Sequence, residues 1–102
     1  MTPEEYVEAV LSLVERIPPG RVMSYGAIAD ALYDRSGRAS ARLVGTIMAR
    51  HGGAVPWYRV VNSVGRLPPG HEQRARESLA AEGLIFTGER VPLREFAWNP
   101  PD

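Results

Sequence analysis

A small, mainly α domain with a minor β component is what the sequence predicts, and three observations carry that prediction. Apolar residues recur at helical spacing in four segments, near residues 3–17, 26–32, 40–50 and 72–82. Proline and glycine interrupt the chain between those segments. The stretches that favour extended backbone are short, at residues 55–61, 84–86 and 90–93. At 102 residues the chain suits one domain spanning 1–102, with a modest core.

Thr2-Pro3-Glu4-Glu5 reads as a helix start, with a capping hydroxyl, proline at the first helical position and a glutamate completing a capping box. Val7, Val10, Leu11, Val14 and Ile17 form its expected buried stripe, and Pro18-Pro19-Gly20 ends it. Arg21-Val22-Met23 is a short extended link to Ser24, a natural N-cap. A second helix is expected from Gly26 to Leu32, buried through Ile28, Ala29 and Leu32, with Tyr25 at its first turn. Tyr33 to Ala39 reads as a turn.

A third helix is expected from Ser40 to Arg50, buried through Leu43, Val44, Ile47 and Met48. Ala41, Gly45 and Ala49 recur every four residues on another face, flanked by Arg42 and Thr46. Small residues let a groove wall approach closely, and an arginine beside them can reach inward. Two short helices joined by a turn, the second basic and small-faced, resemble a helix-turn-helix.

His51-Gly52-Gly53-Ala54 is a break. Val55-Pro56-Trp57-Tyr58-Arg59-Val60-Val61 then reads as an extended segment whose neighbouring aromatics face opposite sides. Asn62-Ser63-Val64-Gly65 is a turn and Arg66-Leu67-Pro68-Pro69-Gly70 a stiff loop. A fourth helix runs from Glu72 to Glu82, with Gly83 as its C-cap. Residues 84–86 and 90–93 form a small hairpin, or wing, around Gly88-Glu89, with Pro92 on an edge. Phe96 and Trp98 lock the tail onto the core. The whole is winged helix-turn-helix-like.

The chain has no cysteine, which excludes disulfides and thiolate chemistry, and its two histidines are too few for an ordinary metal centre. No cofactor is implied. Its apolar clusters fall far short of a membrane span, and no charged-then-apolar leader opens it, so a cytoplasmic monomer without a membrane partner is expected. The zero net charge hides an uneven distribution. Residues 35–71 carry Arg35, Arg38, Arg42, Arg50, Arg59 and Arg66 with no acid, whereas both flanking thirds are acidic. Such a basic middle third is an electrostatic footprint for a polyanion.

Several segments match one pattern in order. They are Ile17-Pro18-x-Gly20-x-Val22-x-Ser24-Tyr25-Gly26-x-Ile28-Ala29, then Ala41-Arg42-x-Val44-Gly45, then Pro56-Trp57-Tyr58-Arg59-Val60-Val61-Asn62-Ser63-x-Gly65, then Glu82-Gly83. Through them the chain resembles the DNA-binding, C-terminal domain of the O6-alkylguanine-DNA alkyltransferases. That family's signature is Pro-Cys-His-Arg-Val, with cysteine accepting the alkyl group and histidine activating it. Here those two positions are Trp57 and Tyr58. An indole is no practical substitute for an activated thiolate. Tryptophan at the acceptor position resembles the alkyltransferase-like proteins, which do not remove the lesion.

The resemblance implies a role for each matching residue. Tyr25 would press on the phosphate beside the target nucleotide, and Arg42 would enter the base stack in place of the flipped base. Ala41, Gly45, Thr46 and Arg50 would lie with them on the DNA. Trp57 would floor or wall the lesion pocket, with Tyr58, Arg59 and Val60 beside it, the backbone of Val60 meeting the guanine edge. Glu82 would hydrogen-bond the pocket network, although Tyr58 leaves its partner open. His51 stands at the enzymes' hinge asparagine, and Pro68-Pro69-Gly70 falls near their Tyr-Ser-Gly pocket loop. The resemblance implies a non-enzymatic reader that binds duplex DNA containing O6-alkylguanine and passes it to nucleotide excision repair proteins. Two other readings stand beside it. One is a winged-helix transcription regulator on undamaged DNA, and the other an enzyme with an unrecognised nucleophile such as Ser63.

Overall fold

The computed structural model describes residues 1–33 and 39–101. Helix α1 spans Pro3–Arg16 and begins as its capping box requires: Thr2 Oγ1 accepts from Glu5 N–H, and Glu5 accepts from Thr2 N–H. Its inward stripe is Tyr6, Val10, Leu13, Val14 and Ile17. Val7 and Leu11 of the expected stripe flank it, half-buried. Strand β1 is Met23–Ser24 and leads directly into α2, Tyr25–Ala31, where Ser24 Oγ accepts from Ala27 N–H at 3.0 Å. Ile28 and Ala29 are buried, while Leu32 ends the helix half-buried. The turn expected at 33–39 lies mostly outside the described residues, as do Arg35 and Arg38.

Helix α3, Ala41–His51, is capped by Ser40, whose hydroxyl accepts from Leu43 N–H at 3.1 Å. Val44 and Ile47 face the core; Leu43 and Met48 are half-buried at its margin. A short 3-10 turn, Gly52–Ala54, follows.

The extended reading of residues 55–61 needs correction. Only β2, Val60–Val61, is a strand, and Trp57–Arg59 is a 3-10 turn. Pro56 causes this. At φ −71° and ψ 69° it forms an inverse γ-turn in which Trp57 N–H donates to Val55 O at 2.6 Å. Arg59 N–H then donates to Pro56 O at 3.0 Å. Trp57 and Tyr58 therefore share one turn instead of alternating across a strand. Their rings meet edge to face, 5.7 Å apart.

β1 and β2 pair in parallel, Met23 opposite Val60 and Ser24 opposite Val61. Because side chains alternate along a strand, this ribbon feeds two cores. Met23 and Val60 enter the first, with α1, α2 and α3; Val22 and Val61 enter the second, with Leu67, Leu84, Val91 and the Ala75–Leu79 face of α4. Helix α4 spans Glu72–Ala81, and Glu82 is its C-cap, followed by Gly83 at φ 93°.

The wing is slighter than the expected hairpin. Thr87 and Arg90 exchange backbone hydrogen bonds of 2.9 and 3.1 Å, and Val91 N–H donates to Gly65 O at 2.9 Å. Gly65 sits at φ 85°, where a Cβ would come within 2.3 Å of Val91 O, so that close approach requires glycine. Pro92 has no N–H to extend the ladder, and residues Leu93–Phe96 instead form a one-turn helix, α5. The tail closes beside β1: Val22 N–H donates to Phe96 O and Trp98 N–H to Val22 O. Phe96 packs on the second core and Trp98 on the first, as the sequence predicts for the tail.

Candidate nucleic-acid interface and base pocket

Helix α3 turns Ala41, Arg42, Thr46, Ala49 and Arg50 outward, with Gly45 half-buried among them. A Cβ at Gly45 would meet nothing within 4 Å, so this glycine is not demanded by internal packing. Thr46 Oγ1 donates to Arg42 O at 3.2 Å, leaving the face smooth and its hydroxyl satisfied. An outward helix face of small residues with arginines at both ends suits a nucleic-acid groove.

Where α3 ends, the two cores leave a seam. Tyr25 packs on the first core and Trp57 on the second. Between them opens a cleft of about 510 Å³. Gly45, Met48 and Ala49 of α3 form one wall, Pro68 and Pro69 another, and His71 and Arg74 close the side towards α4. Gly52 keeps this corner tight: a Cβ there would lie 3.0 Å from Met48 Cε and 3.7 Å from Trp57 Cβ.

Trp57 is the cleft's aromatic surface. The His71 ring lies 5.7 Å from it at 63°, and the Arg74 guanidinium carbon lies 5.5 Å from its centroid. Burial raises the pKa of the Tyr25 phenol, so it stays protonated at neutral pH and can donate to an anion. The volume falls in the usual range of small-ligand sites, about 300–1,000 Å³. A cleft with an aromatic platform and an apolar lining favours a flat, stackable ligand.

The structure divides the residues grouped by sequence as one pocket. Tyr25 and Trp57 line the cleft. Tyr58, Arg59 and Glu82 form a separate network behind it. Arg59 donates through Nε and Nη2 to the Glu82 carboxylate and through Nη1 to Ile17 O at 3.0 Å. Glu82 accepts further from Gly20 N–H at 2.8 Å and from Tyr58 Oη–H at 3.2 Å. The partner left open for Glu82 is thus Arg59 first, with Tyr58 as an accessory donor. Burial alone would raise the Glu82 pKa, but hydrogen bonds from Arg59 and Gly20 outweigh it and hold the carboxyl below its ordinary value. Burial raises the Tyr58 pKa, which keeps it a neutral phenol.

Arg59 therefore faces inward, unlike the exposed Arg42, Arg50 and Arg66 of the basic third. The Val60 side chain is core, 1% exposed, and its backbone belongs to the β pair. His51 ends α3, exposed.

Met48, Gly52, Gly53, His71 and Arg74 line the cleft without having been singled out for it by sequence. His71 stands one residue after Pro68-Pro69-Gly70, and Arg74 one turn further along α4. Both positions follow once that loop is taken as a pocket wall. No set of three potential metal-ligating side chains comes together among the described residues.

Comparison with known proteins bears on this arrangement. A family model described as the 6-O-methylguanine DNA methyltransferase DNA-binding domain matches residues 5–84. The DNA base-flipping protein of Escherichia coli K12 is 37% identical over 101 residues, covering 94% of this chain and 76% of its own length. Alkyltransferase-like protein 1 of Schizosaccharomyces pombe is 36% identical over 115 residues, covering 98% of this chain and all of its own. The crystal structure of S. pombe Atl1 in complex with damaged DNA containing O6-carboxymethylguanine superposes with a TM-score of 0.80 at 33% identity. That match covers 98% of this chain and 100% of the other. With its helix-turn-helix, its seam cleft and a tryptophan on the cleft wall, the chain belongs to the 6-O-methylguanine DNA methyltransferase DNA-binding-domain family, as an alkyltransferase-like member.

Proposed function

We propose that the protein binds duplex DNA through α3, rotates an O6-alkylguanine out of the stack into the Trp57 cleft, and holds it there without removing the alkyl group. The observation that carries this reading is Trp57 in the cleft. At the position of the family's acceptor cysteine stands a stacking surface with no nucleophile. Flipping a base costs a few kcal/mol, and less where pairing is already damaged. Stacking on an aromatic side chain returns roughly 1–3 kcal/mol, and Arg42 can fill the vacated gap. O6-alkylation weakens guanine pairing, so the balance favours the lesion. The E. coli relative named as a base-flipping protein and the Atl1 complex with damaged DNA support the same reading. A reader without chemistry must pass its complex on; the resemblance points to nucleotide excision repair, and the cytoplasm is the location we propose for it.

The test is binding to matched duplexes with and without one O6-methylguanine. Tighter binding to the damaged duplex, with no label passing from radiolabelled methyl to protein, is the expected result. Equal affinity for both duplexes, or stoichiometric labelling, overturns it.

A further inference from the structure

The polar side of the Trp57 cleft is one-sided in charge. The titratable residues that line it are Tyr25, His71 and Arg74, and no carboxylate is among them. Glu72, which lies between His71 and Arg74 in sequence, lines a separate cleft with Glu89.

These side chains bring donors and leave them open. The Arg74 guanidinium carbon lies 5.5 Å from the Trp57 centroid, and among the described residues the side chain forms no ion pair and no hydrogen bond. Its N–H fork is free for a ligand that lies against the indole. His71 meets the same indole edge to face, and its ring also forms no hydrogen bond among the described residues. An imidazole carries at least one N–H in either protonation state. Across the cleft, the neutral Tyr25 phenol can donate as well.

Arg59 shows what such a fork does with a carboxylate in reach: it donates through Nε and Nη2 to the two oxygens of Glu82. An unmodified guanine edge offers an arginine the paired acceptors O6 and N7. Alkylation covers O6 and spoils that pair. A substituent that brings two acceptor oxygens and a negative charge of its own restores the match. We propose that the Trp57 cleft favours O6-alkylguanines whose alkyl group ends in a carboxylate, with Arg74 binding that group and His71 beside it. This rests on the function proposed above.

The experiment uses the full chain and four duplexes of one sequence. They carry O6-carboxymethylguanine, its neutral isostere O6-carbamoylmethylguanine, O6-methylguanine or guanine at the same position. Fluorescence anisotropy reads the affinities. The acid is expected to bind about fivefold more tightly than the amide, the upper end for a partly exposed charge pair. Added salt reduces that ratio. In Arg74→Gln the ratio falls below about twofold, and Arg74→Lys, which keeps the charge, restores part of it. Thermal melts check that both variants stay folded.

Equal affinity of the wild-type protein for acid and amide overturns the proposal. So does a preference for the acid that survives Arg74→Gln. If that variant weakens all four duplexes by one common factor, Arg74 meets a phosphate and the proposal fails. Equal affinity of the wild-type protein for O6-methylguanine and guanine would instead overturn the function proposed above, and the two failures are distinguishable.

Discussion

Position 57 carries an indole and position 58 a phenol, where the resemblance to the alkyltransferases would place a thiol and an imidazole. The Tyr58 hydroxyl donates to Glu82, and burial keeps it neutral, so it cannot take a proton from a neighbouring thiol near pH 7. Trp57→Cys is therefore expected to leave a thiol near its ordinary pKa of about 8.5. Incubated with radiolabelled O6-methylguanine DNA, this variant should acquire little label, and Trp57→Cys with Tyr58→His should acquire more. Efficient transfer by the single variant would show that Tyr58 is not what withholds activity. Trp57→Ala separates packing from reading. Trp57 is half-buried on a cleft wall, so its truncation should cost less than the roughly 3–5 kcal/mol of a fully buried tryptophan. Discrimination for O6-methylguanine should shrink while binding to undamaged duplex persists. Trp57 emission should change when the lesion binds, with Trp98 as a constant background.

At the scale of elements, the Arg59–Glu82 pair ties three segments together: the end of α1 through Ile17 and Gly20, the 3-10 turn carrying Trp57, and the C-cap of α4. Removing one partner of such a largely buried pair costs roughly 3 kcal/mol, and Glu82→Gln should lower stability in urea by about that amount. The pH dependence has a definite sign. The folded Glu82 pKa lies below its unfolded value of about 4.3. Its contribution is therefore fully present above pH 4.3 and fades as pH falls through the folded value. Urea melts from pH 7 down to pH 3 should show this loss in the wild-type protein and a flatter profile in Glu82→Gln. Helix α3 behaves differently. Arg42 is exposed, so Arg42→Ala should leave the melts unchanged while weakening binding to damaged and undamaged duplex alike. An Arg42→Ala protein that binds and flips as well as wild type would remove α3 from the interface.

Over the whole molecule, the basic third of the sequence is not one uniform surface. Arg42, Arg50 and Arg66 are exposed, whereas Arg59 donates inward with three of its nitrogens. Each phosphate neutralised adds about −0.9 to the slope of log affinity against log salt. Three exposed arginines predict a slope of about −3 or steeper. Replacing Arg66 or Arg50 with alanine should make it shallower by about one. Arg59→Ala should lower stability and leave the slope unaltered. A shallower slope in that variant, with no loss of stability, would mean that Arg59 meets phosphate after all.

Local chemistry made much of this protein legible in its sequence. Thr2, Ser24 and Ser40 each cap a helix through bonds spanning only three residues, and the stripe on α1 follows from helical period alone. The mainly α class, the order of elements, the helix-turn-helix and the family were therefore readable from neighbours along the chain. The basic faces of α3 and the special place of Trp57 were readable too. Tertiary structure decided what depended on distant partners. The 3-10 turn that replaces the expected strand follows the local γ-turn at Pro56 and ends on Arg59, whose N–H donates to Pro56 O and whose guanidinium is held by Glu82, 23 residues further on. The same ion pair withdrew one arginine from the basic surface. His71 and Arg74 became cleft residues only when α4 packed against the turn carrying Trp57. No period along the chain encodes such contacts. They arise where the two cores meet, and the cleft is the seam they leave.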